Sequence, residues 1–282
     1  MTSPGTQDLV VGRATLDDWR VVARWAGEEG WNPGLSDAAC FFAQDPAGFF
    51  IGRLDGEPVS AVSVVNYGDD YSFLGFYLVR PDLRGHGYGL TTWKTALAHA
   101  DGRTVGLDGV PAQQDNYRQS GFELAYRTAR FTGVVPEAAV PADVRPVEDA
   151  GAVAAYDSAC HPADRPRFLR RWLTTDGHRA LARVVDGRLT GYGVVRPGRD
   201  ALRVGPLFAD TAEDARALLL GLAAEAAGRE LAIDVPLPNT AAVALVEEYG
   251  LVPSFDTARM YTGPIRPYTK ERVFGVTTLE LG

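Results

Sequence analysis

Apolar residues recur along the chain in runs of strand length separated by turn signals, and stretches with helical spacing lie between them. Leu9-Val-Val-Gly-Arg-Ala14 reads as a short strand leading into Thr15. Thr15 suits a helix cap, with Asp17 and Asp18 in the first turn and Trp19, Val22, Ala23 and Trp25/Ala26 on the inner face. This helix is expected to end near Gly30. Trp31-Asn-Pro-Gly34 is a turn by composition, and a second short helix is expected from Ser36 to Ala43. Two strands, Gly48 to Leu54 and Pro58 to Val65, flank the hairpin signal Asp55-Gly56, and Asn66 to Asp70 forms the next turn.

The most informative stretch is Phe73 to Ala100. Phe73-Leu-Gly-Phe-Tyr-Leu-Val79 has the length and composition of a strand and is closed by Arg80-Pro81. Leu90, Trp93, Leu97 and Ala100 stand at helical spacing. Between strand and helix lies Arg84-Gly-His-Gly-Tyr-Gly89. Its three alternating glycines remove side chains from the path of a ligand and permit unusual dihedrals. Backbone N–H groups can then converge at the positive end of the helix, where a phosphate or pyrophosphate is held, and Arg84 adds a fixed cation. The histidine within the loop, His86, is expected to point away from the phosphate. No Lys-Ser/Thr follows the glycines as a P-loop needs, and the last glycine lies too near the second for a Rossmann fingerprint.

Arg84 to Gly89 resembles the R/Q-x-x-G-x-G/A pyrophosphate loop of the GNAT acyltransferase superfamily. Asn116-Tyr-Arg-Gln-Ser-Gly-Phe122 resembles that family's Tyr-x-x-x-Gly-Phe segment, which follows a fifth strand, here Arg103 to Asp108. The order β-α-α-β-β-β-α-β-α-β, closed by Thr128-Ala-Arg-Phe-Thr-Gly133, is similar to the GNAT fold. The resemblance implies an α+β architecture, a mixed and mostly antiparallel sheet flanked by helices. It also implies an acyl-CoA co-substrate, most simply acetyl-CoA, and no metal. On the same ground Tyr117 is expected to bring its phenol to the thioester sulfur and protonate the departing thiolate. The main chain of Tyr77, Leu78 and Val79 would pair with the pantetheine amides, and an N–H near Val79 would polarise the thioester carbonyl. Arg84, Gly85, His86, Gly87, Tyr88 and Gly89 would hold the pyrophosphate. The asparagine that many family members carry seven residues before the tyrosine is Val110 here, with Gln113, Gln114 and Asn116 closer in, so Asn116 is the candidate polar contact to the coenzyme. Trp31 and Asn32 stand in the loop that commonly touches the acceptor. Glu28, Glu29, Asp69 and Asp70 are weaker candidates for the base that keeps the amine neutral.

Three prolines mark Val134 to Pro146 as an extended connection. The expected division is a first domain at 1–134, a linker at 135–146 and a second domain at 147–282. The second part echoes the first: Val144-Arg-Pro-Val-Glu-Asp149 follows Gly12 to Asp18, and Thr257-Ala-Arg-Met-Tyr-Thr-Gly263 nearly repeats Thr128 to Gly133. Two tandem GNAT-like domains are therefore expected. With Val79 aligned to Phe208, the place of Arg84 falls on Glu213 and that of Gly85 on Asp214, while Gly87 and Gly89 fall on Arg216 and Leu218. Carboxylates there repel a pyrophosphate. After Asn239, Val246 takes the place of the phenol. The second half is thus expected to be GNAT-like but catalytically empty, serving to wall the acceptor site or to dimerise.

Composition adjusts this picture only at its edges. The chain has 282 residues, 46% of them hydrophobic, enough for two cores, and a formal charge of −8 with a pI near 5.1 argues against nonspecific nucleic-acid binding. Cys40 and Cys160 read as buried, inert thiols, and His86, His99, His161 and His178 show no metal-ligand spacing. Met1 to Asp8 lacks the regions of a signal peptide, and no apolar run approaches ~18 residues, so a cytoplasmic protein is expected. The expected reaction is acyl transfer from acetyl-CoA to a primary amine of a small molecule. A noncatalytic acyl-CoA sensor and a purely structural tandem module are the competing readings.

Overall fold

A computed structural model describes residues 8–282; the N-terminal segment read above for targeting falls, but for Asp8, outside the described residues. The first half runs β1 (Val10–Arg13), α1 (Leu16–Glu28), α2 (Asp37–Gln44), β2 (Phe49–Leu54), β3 (Glu57–Tyr67), β4 (Tyr71–Val79), α3 (Tyr88–Leu97), β5 (Thr104–Gly109), α4 (Gln114–Gln119) and β6 (Glu123–Gly133). The second half repeats this order: β7 (Val144–Pro146), α5 (Ala150–Ser158), α6 (Pro166–Trp172), β8 (Arg179–Val185), β9 (Arg188–Arg196), β10 (Leu202–Ala209), α7 (Ala212–Ala226), β11 (Leu231–Pro236), α8 (Thr240–Glu248) and β12 (Val252–Tyr261). A short extra strand, β13 (Val273–Gly275), follows.

Local chemistry accounts for most boundaries. Thr15 and Asp18 form a reciprocal capping box at the start of α1. Asp55 and Gly56 both adopt positive φ, as a two-residue hairpin requires, and Asp186 and Gly187 do the same between β8 and β9. Of the four residues at helical spacing, Trp93 and Ala100 are buried and Leu97 is partly so, while the inner face of α3 also takes in others. Its buried residues are Gly89, Thr92, Trp93 and Ala96, and Leu90 is left half exposed.

Two separate sheets do not form. The strands make one continuous sheet in the order β1-β2-β3-β4-β5-β12-β6-β11-β10-β9-β8-β7, with β13 paired to β10 off this path. Each closing strand has crossed into the other half: β12 lies antiparallel between β5 and β6, and β6 lies antiparallel between β12 and β11. The echo between Thr128–Gly133 and Thr257–Gly263 therefore marks two strands that sit side by side, Thr257 opposite Thr128. The main core crosses the seam as well. Trp19, Phe41, Phe49 and Phe76 share it with Phe168, Trp172, Tyr192 and Phe208, and Phe41 stacks on Trp172 with ring centroids 6.4 Å apart.

Candidate active site

The site begins where β4 and β5 part. Their parallel pairing runs from Tyr71 opposite Thr104 to Leu74 opposite Leu107 and stops there. On its other edge β4 changes register against β3 between Ala61 and Ser63, and Phe76 at this irregularity takes φ 49°. A bulky residue in the left-handed region is costly and persists only where packing enforces it. Phe76 is held against Trp19 at 5.3 Å and Phe41 at 6.1 Å. The bulge bends β4 away from β5 and leaves the main chain of Gly75 to Val79 without a β5 partner.

The glycine loop lies at the end of this opening. Gly85 and Gly87 have φ 82° and 83°, and Gly87 is the cap residue of α3. A Cβ at Gly89 would come within 2.7 Å of Val79 Cγ2 and 2.9 Å of the Tyr77 hydroxyl, so this glycine lets the helix start close onto β4. Arg84 donates through Nε to the Val79 carbonyl at 3.1 Å and through its guanidinium to Glu29. The His86 ring turns back on its own loop, with Nδ1 donating to the Arg84 carbonyl at 3.0 Å, and it stacks on Tyr88.

Tyr117 is set by a Schellman turn at the end of α4. Gly121 adopts φ 86°, Phe122 N–H donates to the Tyr117 carbonyl at 3.0 Å and Gly121 N–H to the Arg118 carbonyl at 3.0 Å. The Tyr-x-x-x-Gly-Phe spacing is thus the geometry of one helix end. The phenol ring stacks on Trp93 at 5.5 Å and lies flat on Gly109, where a Cβ would stand 2.7 Å from it. Burial, with Tyr77 adding to it, pushes the phenol well above its ordinary pKa and keeps it protonated.

Tyr77 and Tyr117 line two openings that meet at them. One is a slot of about 390 Å³ facing α3 and α4, bordered also by Leu90, Trp93, Asn116 and Ser120. The other is a narrow cavity of about 60 Å³ in the gap where β4 and β5 part, lined by Trp31, Phe76, Val110 and Gln113 and, from the crossed strands and the chain's last residues, by Arg130, Phe255, Thr257 and Glu280. Trp31 lines that cavity. Asn32 does not: its amide is spent on the second half, donating to the Ala201 carbonyl at 3.1 Å and accepting from Asp200 N–H at 2.8 Å. Arg203 donates to the carbonyls of both Trp31 and Asn32, each at 3.2 Å, so the second half pins this loop. Glu28, Glu29, Asp69 and Asp70 all lie away from the cavity. Leu78 is a core side chain, and its main chain lies in the part of β4 that has no β5 partner.

Sequence reasoning missed Glu280 and Arg130. A lone carboxylate in the apolar stretch Phe274 to Leu281 was the one available signal for Glu280.

The second half repeats the frame with different contents. Pairing of β10 with β11 also stops early, after Val204 opposite Ile233, but β13 fills the gap, pairing Leu207 with Gly275 and Phe208 with Val273. At the start of α7, Asp214 accepts from Thr211 and from Arg183, which also reaches Glu213. The end of α8 repeats the Schellman turn, Leu251 N–H to Val246 carbonyl at 3.1 Å, and places buried Val246 where the first half has Tyr117. Among the described residues no group of three His, Cys, Asp or Glu side chains is placed to hold a metal, and no helix is long and apolar enough to cross a membrane.

Comparison with known proteins agrees with this duplication. Residues 16–122 match the acetyltransferase (GNAT) family and residues 153–275 match an acetyltransferase (GNAT) domain. A holothin acyltransferase from Pseudoalteromonas sp. (strain SANK 73390) is 34% identical over 273 residues, 95% of this chain and 93% of that protein. A solved structure from Pyrococcus horikoshii superposes with a TM-score of 0.84 over 100% of this chain and 99% of that one, at 21% identity. A tandem GNAT protein from the clavulanic acid biosynthesis pathway gives a TM-score of 0.63 over 91% of this chain and 99% of its own, also at 21% identity. With a GNAT unit in each half and an acyltransferase relative spanning nearly its whole length, the chain belongs to the GNAT family, as a tandem N-acyltransferase.

Proposed function

We propose that the first half transfers an acyl group, acetyl in the simplest case, from acyl-CoA to a primary amine of a small molecule. The observation that carries this reading is the position of Tyr117, which borders both the slot beside the start of α3 and the narrow cavity between β4 and β5. In this reading the coenzyme lies in the slot and the amine in the cavity. Pyrophosphate takes the N–H groups of Gly85 to Gly89 at the start of α3, and it draws Arg84 away from Glu29. The pantetheine amides take the main-chain groups of β4 from Tyr77 to Val79 that have no β5 partner, the Val79 carbonyl once Arg84 releases it, as an added strand would. Asn116, on the slot wall, offers a further polar contact. A main-chain N–H near Val79 polarises the thioester carbonyl and stabilises the charge that develops on its oxygen. Attack by the amine forms the C–N bond, the C–S bond breaks, and Tyr117 gives its proton to the sulfur.

The second half, with β13 in its equivalent gap and carboxylates at the start of α7, takes no coenzyme in this reading and serves as the wall of the acceptor cavity. Because the 34% identical relative is named an acyltransferase, acyl-CoA donors other than acetyl-CoA belong in the test as well. The test is thiol release from acetyl-CoA across a panel of amines, in wild type and Tyr117→Phe. The expected result is turnover reduced about 10²–10⁴-fold in the variant with coenzyme affinity nearly intact. Coenzyme binding with no thiol release from the wild type would make the chain a sensor, and unchanged turnover in Y117F across pH would remove the acid role.

A further inference from the structure

Acyl transfer to an amine needs a receiver for the proton that nitrogen sheds, and it must border the space the amine occupies. The cavity bordered by Tyr117 has three ionisable side chains of strong acid or base character, Asp108, Arg130 and Glu280. Asp108 is clasped by Arg259 through two hydrogen bonds of 2.9 and 2.7 Å. Arg130 is committed to Asp234 and to the Trp31 carbonyl. Other buried carboxylates follow the same pattern: Asp37 is held by Arg196, Asp157 by Arg165, Asp214 by Arg183 and Asp234 by two arginines. Among the described residues, Glu280 is buried to 5% exposure and its carboxylate receives no hydrogen bond. A buried carboxylate without donors is costly to keep, and one that faces a cavity is suited to a partner that arrives with the substrate.

Its backbone is held firmly. Beyond β13 the chain donates from Val276 N–H to the Asp234 carbonyl at 2.9 Å and passes two glycines that make room for it. A Cβ at Gly205 would strike the Thr277 carbonyl, and one at Gly75 would strike the carbonyl of Glu280 itself. Arg165 grips Thr277 Oγ1 at 2.7 Å, Leu281 N–H donates to Thr278 Oγ1 at 2.9 Å, and the Tyr67 hydroxyl donates to the Leu281 carbonyl at 2.9 Å. A free carboxylate on a fixed backbone is the arrangement a positioned base requires.

We propose that Glu280, supplied by the end of the second half, is the general base that takes the proton from the attacking amine. This rests on the acyl-transfer reading and adds its missing proton acceptor. As nitrogen bonds to the thioester carbon, its N–H proton passes to the Glu280 carboxylate. The C–S bond breaks with transfer of the Tyr117 proton to sulfur. The proton on Glu280 then returns to the Tyr117 phenolate through the cavity both groups border, which restores each and leaves amide and free thiol.

The charges around Glu280 suit the task. Burial raises its pKa, Arg203 and Arg130 oppose the rise, and Asp234 and Asp37 add to it, leaving the carboxyl above its ordinary value. A carboxylate whose pKa is raised has more driving force for proton uptake. Behind Asp37 stand Arg196 at 2.8 Å and His178 at 3.8 Å, and across the cavity Asp108 is paired with Arg259.

The test is Glu280→Gln with Glu280→Asp beside it, assayed with acetyl-CoA against primary amines spanning several units of basicity. Glu280→Gln is expected to lower kcat about 10²–10⁴-fold for strongly basic amines and progressively less for weakly basic ones, whose adduct sheds its proton unaided. Acetyl-CoA affinity should be unchanged, and Glu280→Asp, which keeps the carboxylate, should recover part of the rate. A penalty uniform across the series in both variants, or an E280Q rate equal to wild type, overturns the assignment while leaving the acyl-transfer reading intact. Absence of thiol release from the wild type with every amine overturns both.

Discussion

Asp234 joins the crossed strands, through Arg130 and Arg203, to the loop at Trp31 and Asn32, and its charge can be removed with little change of shape. The carboxylate lies on β11, 1% exposed, between Arg130 of β6 and Arg203 of β10, themselves 4% and 2% exposed. Burial alone would raise its pKa, but the two guanidiniums outweigh burial and hold it below the ordinary carboxylate value. Asp234→Asn leaves two buried cations that Glu280 opposes without a hydrogen bond, and breaking a buried pair from one side costs about 3–5 kcal/mol. For 282 residues the unfolding entropy near the midpoint is about 0.6 kcal/mol/K, so Tm should fall by about 5–8 °C. Differential scanning calorimetry is the assay. Because β6 and β12 are exchanged across the seam, both halves should melt in a single transition that moves as a whole. Arg130 and Arg203 also hold the Trp31 carbonyl, so the acceptor KM should rise in the variant while acetyl-CoA affinity stays the same. Two separate transitions, only one of them shifted, would refute the view of the crossed strands as one cooperative unit.

Three further outcomes are expected. Gly87→Ala should weaken CoA binding about tenfold by isothermal titration, since a left-handed non-glycine residue costs about 1–2 kcal/mol and the loop would relax away from φ 83°. Gly75→Ala should displace the Glu280 backbone and lower turnover at saturating substrates, with CoA affinity retained in the same titration. His178 has its pKa pushed down to about 4 by burial and by Arg196, while Nδ1–H donates to the Trp172 carbonyl at 2.9 Å. The unfolded chain therefore binds this proton from about pH 6.5 downward and the folded one does not until about 4, so stability falls as pH drops through that window. Urea unfolding at pH 7.5 and 5 should show a shallower loss in His178→Gln, by up to about 3 kcal/mol over the full window; an unchanged slope would remove His178 as the source.

The sequence alone determined the parts whose geometry is local. Glycines at 85, 87 and 121, the Thr15 cap and the Asp55-Gly56 and Asp186-Gly187 turns are required by backbone dihedrals within a few residues, so their patterns are visible in the string. The placement of Tyr117 was legible for the same reason, as the third-last residue of a helix closed by Gly121 and Phe122. Tertiary structure alone decided the rest. Two nearly repeated strand sequences can close their own sheets or exchange, and residue patterns do not distinguish these, because β6 and β12 present similar faces to either neighbour. Exchange brought Arg130, Phe255 and Thr257 to the cavity beside Tyr117, and the path of residues 276–282 brought Glu280. Contacts between residues 163 and more positions apart in the chain, such as Tyr117 and Glu280 around one cavity, depend on how the two halves pack rather than on any nearby spacing.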